Sequence, residues 1–542
     1  MSGSSGAGRR AGPAACVALL SALLASGLLW DRDWGFHLAT FERLIAERAL
    51  PRQDGFSYAS DWPYEPVHLL FQLALGAAVR VCGTGGVALV RVVAALAIGL
   101  ALHGALRRRG LGPWAAAGLT LLVQAGGAYR LVERPHLATT LGLVLLLDAL
   151  LAWRERGLER PVRLVPLLLL WANTHPGAVY GVVTAWGFLL AEAARAGLGW
   201  RGAQPAGRVR ALAVWVGLGT LATFLNPLGP GLYPYLLRQD GVRELGIREL
   251  KPVWEAGLVP LLGAGMLALG WLFLLPRARR LFASDPTLLG ASLAFGLLGA
   301  WVSREVPLAL VVLALTVAPE VARVVAAHRP LVRALTLGLV LAPALLGVVD
   351  QVQPARRLGR WPGGLDPWVY PETAADWLLE HRPQGRLYNT NAVGSYLLFR
   401  LWPHYQVYSD GRIPMFVTAM REERDFARVE ARWDPQILVV DFAHRELEWH
   451  ACEQTAGFAE RWVLVHVSAA AKVYLRREGP NAALAARFGY RHLRYKGRWW
   501  TGRVSSRGGV PVPVLGDPAA LAAEVERARR LDPHAVRWLP PG

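Results

Sequence analysis

What most limits this chain is a succession of apolar stretches filling its first 350 residues, each near the length that crosses a hydrocarbon core about 30 Å thick. Candidate crossings lie at 11–30, 66–81, 85–106, 114–129, 137–153, 163–195 (interrupted), 211–227, 257–276, 286–303, 306–325 and 333–350. With 53% hydrophobic and 18% charged residues, the chain is too apolar for an ordinary soluble protein. The same proportions exclude disorder and collagen, and three cysteines (Cys16, Cys82, Cys452) are too few for a disulfide framework. Cysteine and histidine nowhere take zinc-ligand spacing. The net charge of +19 rests on arginine, since only Lys251, Lys472 and Lys496 are lysines. That bias, beside abundant Ala, Gly, Leu and Trp, fits a GC-rich genome better than a nucleic-acid partner.

Arginine placement sets the expected orientation. Arg9/Arg10, Arg107–Arg109, Arg154/Arg156/Arg160/Arg163, Arg201/Arg208/Arg210, Arg277/Arg279/Arg280 and Arg329/Arg333 cluster in short loops, which are assigned to the inside. Segments 31–65, 130–136, 173–176, 226–256, 304–305 and everything after 350 then fall outside. Parity leaves one conflict: 66–106 must cross an odd number of times yet reads as two helices, so one of them is short or re-entrant. Arg9-Arg10 before an apolar core resembles a signal peptide. No small-x-small cleavage site follows it, however, and many spans do, so it reads as an uncleaved anchor.

From about residue 351 the composition turns soluble. Strand-like runs at 386–390, 406–410, 436–442, 461–467 and 471–476 are rich in β-branched and aromatic residues, with helical runs at 372–382, 392–402, 416–429 and 519–530. The expected organisation is a membrane domain over 1–350, with a first outer loop at 31–65, and an extracytoplasmic α/β domain over 351–542. A Gly/Pro-rich stretch, 508–513, precedes the last helix.

The sharpest local signal is Asp31-Arg32-Asp33-Trp34-Gly35-Phe36-His37-Leu38, directly after the first apolar stretch. Carboxylates at the end of a membrane span are costly to place, so a role is the default expectation. Two carboxylates at i and i+2 can converge on one cation, or divide into a metal ligand and a general base. The bland alternative is a helix cap with aromatic anchoring. Phe41, Leu44, Ile45 and Arg48 recur at helical spacing, making 36–49 an amphipathic helix suited to the outer interface. Pro51 ends it, and Asp54-Gly55 turns toward Phe56-Ser57-Tyr58. Further polar groups stand at the outer ends of other spans: Glu133-Arg134-Pro135-His136, Asn173-Thr174-His175-Pro176, Asn226-Pro227 and Arg304-Glu305. Taken singly, most have structural explanations, such as an Arg304–Glu305 ion pair. Gathered on one face, they would line a polar cavity for a phosphate and a sugar. In the C-terminal part, Asn389-Thr390-Asn391 and Asp410-Gly411-Arg412 close strand-like runs, as ligand sites in α/β sheets do and as ordinary turns also do.

These residues, in order, resemble a bacterial family of GT-C-type membrane proteins. The first loop has the family's Asp-x-Asp, His-Leu, Pro-x-x-Asp and Phe-Ser-Tyr sequence. The likeness continues through Arg134-Pro135-His136-Leu137, Trp171-Ala172-Asn173-Thr174-His175, Leu225-Asn226-Pro227, Val393-Gly394-Ser395-Tyr396-Leu397 and Asp410-Gly411-Arg412, covering about 25–477. Pro176 stands where the family usually has Gly, and His136 where it has Gln or similar.

The resemblance implies a GT-C-like bundle of about 11–12 transmembrane helices in a bacterial inner membrane. It also implies an inverting glycosyltransferase that takes a hexosyl or pentosyl unit from a polyprenyl-phosphate donor. The acceptor would be a glycan, lipid or protein on the outer side. Asp33 is then the catalytic carboxylate, with Asp31 its partner, and the two could hold a divalent cation, Mg or Mn. His37, Asp54, Arg134, His136, Asn173, His175, Asn226 and Arg304 form the expected substrate-binding set. Two other classes compete: a transporter or flippase of lipid-linked glycans, and a non-catalytic GT-C-like scaffold.

Overall fold

The computed structural model describes residues 4–60, 63–157, 160–237, 247–328, 330–412, 425–442, 451–497, 509–513 and 517–535. The chain forms two compact units, the first of Met1–Leu28 with Pro66–Gly364 and the second of Leu29–Glu65 with Leu365–Gly542.

The described elements of the first unit are helices. Along the chain come α1 (Ser4–Leu24), then α2 (Trp34–Glu47), which belongs to the second unit, and α3 (Leu69–Cys82), α4 (Gly85–Arg108), α5 (Pro113–Gly126) and α6 (Leu137–Glu155). There follow α7 (Leu164–Thr174), α8 (Ala178–Gly197), α9 (Ala206–Ala222), α10 (Leu258–Leu274), α11 (Pro286–Trp301), α12 (Val306–Ala327) and α13 (Pro330–Arg357). Every candidate crossing read from the sequence has its helix. Among the described residues, four stretches combine at least 18 residues with sustained apolarity: Gly85–Arg108, Leu137–Glu155, Leu258–Ser284 and Ser303–Ala327. Helix α1 packs on α4, α5 and α13; α6 on α4, α7 and α8; and α12 on α10 and α11. The shared core includes Trp153, Leu143, Leu150, Val311 and Leu315, while Val183, Leu190, Leu221, Leu269, Leu272 and Leu297 face outward. Apolar faces of that extent belong in lipid: this is a polytopic helical membrane protein.

Two irregularities in the apolar pattern are explained by the helices. Between α7 and α8, His175 is extended (φ −155, ψ 135), so the span breaks at His175-Pro176-Gly177 as the proline requires. In the ambiguous interval, α3 has 14 residues. At about 1.5 Å per residue it reaches only about 21 Å, so α3 is the short member of the α3/α4 pair. At other helix ends Arg154 bonds Asp285 (2.6 and 2.8 Å) and Glu192 (3.3 Å), and Glu192 accepts from Arg195 (2.9 Å) and Thr287 (2.9 Å).

The second unit is α/β. Strands β1 (Leu387–Asn389), β2 (Ile437–Asp441), β3 (Trp462–Val467) and β4 (Ala471–Arg476) form one sheet in the order β1-β2-β4-β3. In this sheet β1 and β2 pair parallel, β2 and β4 antiparallel, and β4 and β3 antiparallel. All five residues of β2 are buried, as a strand covered on both faces must be. Helices α14 (Glu372–His381), α15 (Asn391–Leu401), α16 (Phe426–Trp433), α17 (Ala482–Phe488) and α18 (Pro518–Leu531) surround the sheet. A hairpin of β5 (Leu493–Gly497) and β6 (Gly509–Pro513) was not foreseen; the Gly/Pro-rich stretch enters it as a strand, where proline is tolerated at an edge. Most of the expected helix 416–429 lies outside the described residues.

Three expectations need correction. The domain division differs, because segment 29–65 is part of the second unit, which resumes at Leu365, beyond the 28-residue α13. The run 406–410 is no strand of the sheet; it makes an isolated parallel bridge, Ser57 to Val407, with Val407 N–H bonding Phe56 C=O (3.0 Å). Nor does the 36–49 helix lie on a surface along its length. Trp34 through Phe41 of α2 are buried, and α2 packs on α15 so closely that a Cβ on Gly35 would stand 2.1 Å from the Ser395 carbonyl oxygen. Pattern alone could not show this, because an apolar stripe is the same whether lipid or protein covers it.

Candidate active site

The second unit gathers the acidic residues. Segment 53–59 is sewn to the 406–408 run by Ser57 Oγ to Tyr408 C=O (2.8 Å) and by Gln406 Nε2 to Gly55 C=O (3.2 Å). Tyr58 joins the core with Tyr408 and Trp433, and its hydroxyl donates to Leu387 C=O (3.2 Å). At the start of α2, the Trp34 indole donates to Tyr370 Oη (2.8 Å), and Tyr370 donates to the Asp31 carbonyl. Trp34 also meets Tyr396 and Phe399 edge-on. Asp31 is buried, and its Oδ1 accepts from Asp33 N–H (2.9 Å).

Asp33 precedes α2 but makes no side-chain capping bond to it, so the bland cap reading does not account for its carboxylate. That carboxylate lies against Gly411: a Cβ built there would be 2.3 Å from Asp33 Oδ1. Asp54 is held elsewhere. Its Oδ1 accepts from Phe56 N–H (2.9 Å) and from Arg412 Nη1 (2.8 Å), which ties it to the 406–412 run. His37 is 2% exposed, in the buried half of α2, with its ring 4.0 Å from that of Phe36.

The first unit gathers the basic residues. Arg130 forms an ion pair with Glu249, and Arg134 Nη1 lies 3.7 Å from the same carboxylate. Burial by itself would raise the Glu249 carboxyl, but Arg130, Arg134 and Arg304 overcome it and hold the group down at about 2. Arg304 pairs with Glu305 (2.9 Å), which also accepts from Tyr180 Oη (3.1 Å). Nearby, His136 Nε2 meets Arg130 C=O (2.8 Å); burial, then the Arg130 charge, keeps this imidazole well below its usual range and neutral.

His175 is oriented by a relay. Trp171 Nε1–H donates to Thr139 Oγ (3.0 Å), whose hydroxyl meets His175 Nδ1 (2.7 Å). Gly177 N–H also points at that nitrogen (3.0 Å), so Nδ1 accepts and the proton of the neutral ring sits on Nε2. His68 stacks on His175 at 5.5 Å.

Of the sequence-derived set, the first unit therefore brings Arg134, His136, His175 and Arg304 into one neighbourhood. Asn173 and Asn226 bond to backbone groups of their own surroundings. Asn173 Nδ2 donates to Leu169 C=O and Leu225 C=O, tying α7 to the end of α9; Asn226 spends its amide on Thr223 C=O, Gly229 C=O and Leu228 N–H, closing its own turn. Arg130, Glu249, His68 and Tyr180 were missed. Arg130 lies three residues before Glu133 of a noted motif, whereas Glu249 has no local signal, because the Arg130 it pairs with is 119 residues away.

Among the described residues, no three His, Cys, Asp or Glu side chains are gathered as metal ligands.

No family model and no curated protein matches the chain. Solved structures do. The apo ArnT of Cupriavidus metallidurans superposes with a TM-score of 0.54 at 15% identity, over 87% of this chain and 98% of that one. The Archaeoglobus fulgidus oligosaccharyltransferase tethered to an acceptor peptide gives 0.53 at 13%, over 84% and 72%. The archaeal oligosaccharyltransferase AglB in complex with an inhibitory peptide and a dolichol-phosphate gives 0.52 at 13%, over 80% and 69%. At such identities the likeness is one of fold, and with the helices and α/β unit described above it makes this chain a membrane protein of GT-C architecture.

Proposed function

We propose that this protein is a membrane glycosyltransferase that moves a sugar from a polyprenyl-phosphate donor to an envelope acceptor on the outer side of a bacterial inner membrane. The observation that carries this reading is the convergence of Arg130, Arg134 and Arg304, from two separate loops, on Glu249. Three guanidiniums against two carboxylates, Glu249 and the Glu305 that pairs with Arg304, leave one positive charge over, suited to a phosphate by bidentate bonding. The fold agrees, since AglB has been solved in complex with an inhibitory peptide and a dolichol-phosphate.

In this reading the arginines stabilise the charge that grows on the departing phosphate. His175 offers its Nε2 proton as a neutral donor. Asp33 takes the proton of the acceptor hydroxyl as it attacks the anomeric carbon, and a single displacement through an oxocarbenium-like state inverts the configuration. A cation between Asp31 and Asp33 would supply charge neutralisation at the acceptor side.

The test is mass spectrometry of lipid-linked sugars and envelope glycans in a deletion strain complemented with wild type, Asp33→Asn or Arg134→Gln. Wild type is expected to restore the missing glycan and Asp33→Asn to leave it absent with normal membrane levels. An unchanged glycan profile in the deletion strain overturns the assignment.

A further inference from the structure

We propose that the Asp410-Gly411-Arg412 turn is a positioning device for Asp33, with Gly411 as the contact and Arg412 as its lock. The proposal rests on the reading of Asp33 as the general base. The turn is over-determined. Asp410 is fully buried, and its carboxylate takes Arg412 by Nε (2.8 Å) and Nη2 (2.5 Å) while also accepting from Arg412 N–H (3.0 Å). Arg412 Nη1 reaches across 358 residues to Asp54 (2.8 Å), and the guanidinium lies 5.1 Å from the Phe56 ring centroid. Asn391 Nδ2 holds Asp410 C=O (2.7 Å), and Ser395 Oγ accepts from Gly411 N–H (3.0 Å).

One buried guanidinium against two buried carboxylates is an expensive way to fix a three-residue turn, which glycine and asparagine could close without charge. What the expense secures is the position of one backbone atom. Gly411 Cα sits where any side chain would enter Asp33: its Cβ would lie 2.3 Å from Oδ1, 2.9 Å from Cγ and 3.2 Å from Ser395 Oγ. Gly411 does not have positive φ, so glycine is needed here for space and not for backbone freedom. The first-loop carboxylate thus has its back wall in the C-terminal half of the chain. Asp54, from the same loop as Asp33, reports through Arg412 whether that wall is in place.

Two variants test the device. Gly411→Ala adds one methyl aimed at Asp33 with no backbone strain; Arg412→Lys keeps the charge and loses the fork that spans Asp410 and Asp54. Full-length protein in detergent is first checked for unchanged melting. Labelling of Asp33 by a water-soluble carbodiimide is then read by peptide mass spectrometry against exposed Glu380. Transfer is measured with the donor established by the glycan analysis. Displacing a catalytic group by about 1 Å costs on the order of 100-fold in turnover. Both variants are expected to change relative Asp33 labelling at least about threefold. Gly411→Ala should lower turnover by about 30- to 100-fold, with donor KM within about threefold and the acid limb of the pH–rate profile displaced. Wild-type labelling, or a wild-type rate and pH profile, in folded Gly411→Ala overturns the positioning role. Undiminished transfer in Asp33→Asn is a separate result, and overturns the reading of Asp33 as base.

Discussion

Arg91 and Glu133 offer a quantitative test of how the first unit is held together. They form a 2.6 Å ion pair with side chains 2% and 1% exposed. Arg91 also donates to the carbonyls of Ala25 (2.7 Å), Gly27 (2.5 Å) and Leu28 (3.2 Å), which follow the end of α1 and have no helical partners. One guanidinium therefore caps α1 where the chain leaves the bundle, three residues before Asp31. Removing one partner of a buried pair typically costs about 3–5 kcal/mol, because the other charge is stranded. Glu133→Gln should fall near the low end, since the carbonyls still surround Arg91 with negative partial charge. Arg91→Met strands Glu133 and also three carbonyls, each about 1 kcal/mol, for a total of about 6–8 kcal/mol. The double variant Arg91→Met/Glu133→Leu should cost less than the sum of the single changes, because no charge is left unpaired. Melting of detergent-solubilised protein, followed by size-exclusion fluorescence, reads all three. Arg91→Met no more harmful than Glu133→Gln, or a strictly additive double variant, refutes this account.

Three further outcomes are expected. Replacing Glu249 by Gln withdraws the carboxylate that competes for Arg130, Arg134 and Arg304, so binding of undecaprenyl phosphate, followed by native mass spectrometry, should tighten about 3- to 10-fold; weaker binding counts against a phosphate site there. Burial, then the charges of His381 and Arg527, holds His466 down at about 3, below its unfolded value near 6.5. Protons then bind the unfolded chain first, so stability is lost as pH falls from about 6.5 toward 3, by up to roughly 5 kcal/mol, and His466→Gln should flatten that limb in melts across the same range. Gly35→Ala drives a methyl into the Ser395 backbone, which cannot rotate away, and should lower the melting temperature by the equivalent of about 3 kcal/mol; an unchanged melt would show that α2 and α15 separate easily.

The amino-acid sequence by itself determined the elements. A membrane span needs about 20 apolar residues whatever surrounds it, so each helix of the first unit, the break at His175-Pro176 and the turn to soluble composition were legible locally. Four of the five expected strands were legible for the same reason, through β-branched runs. Asp31 and Asp33 stood out because carboxylates beside a span are costly anywhere.

Only the tertiary structure decided which segments share a unit. Segment 29–65 reads as a loop between spans, yet Phe56, Ser57 and Tyr58 complete the C-terminal core and Asp54 meets Arg412. Residues 53–59 and 406–412 each carry half of a set of hydrogen bonds and ring contacts, and neither half has a periodicity that names the other. The same holds for Arg130 and Glu249, and for His37, whose helix stripe could equally have faced lipid. Local pattern fixes where backbone groups are satisfied within an element. The pairing of buried charges and the closing of a core are matters of long-range contact, and their energy appears only when both partners are present.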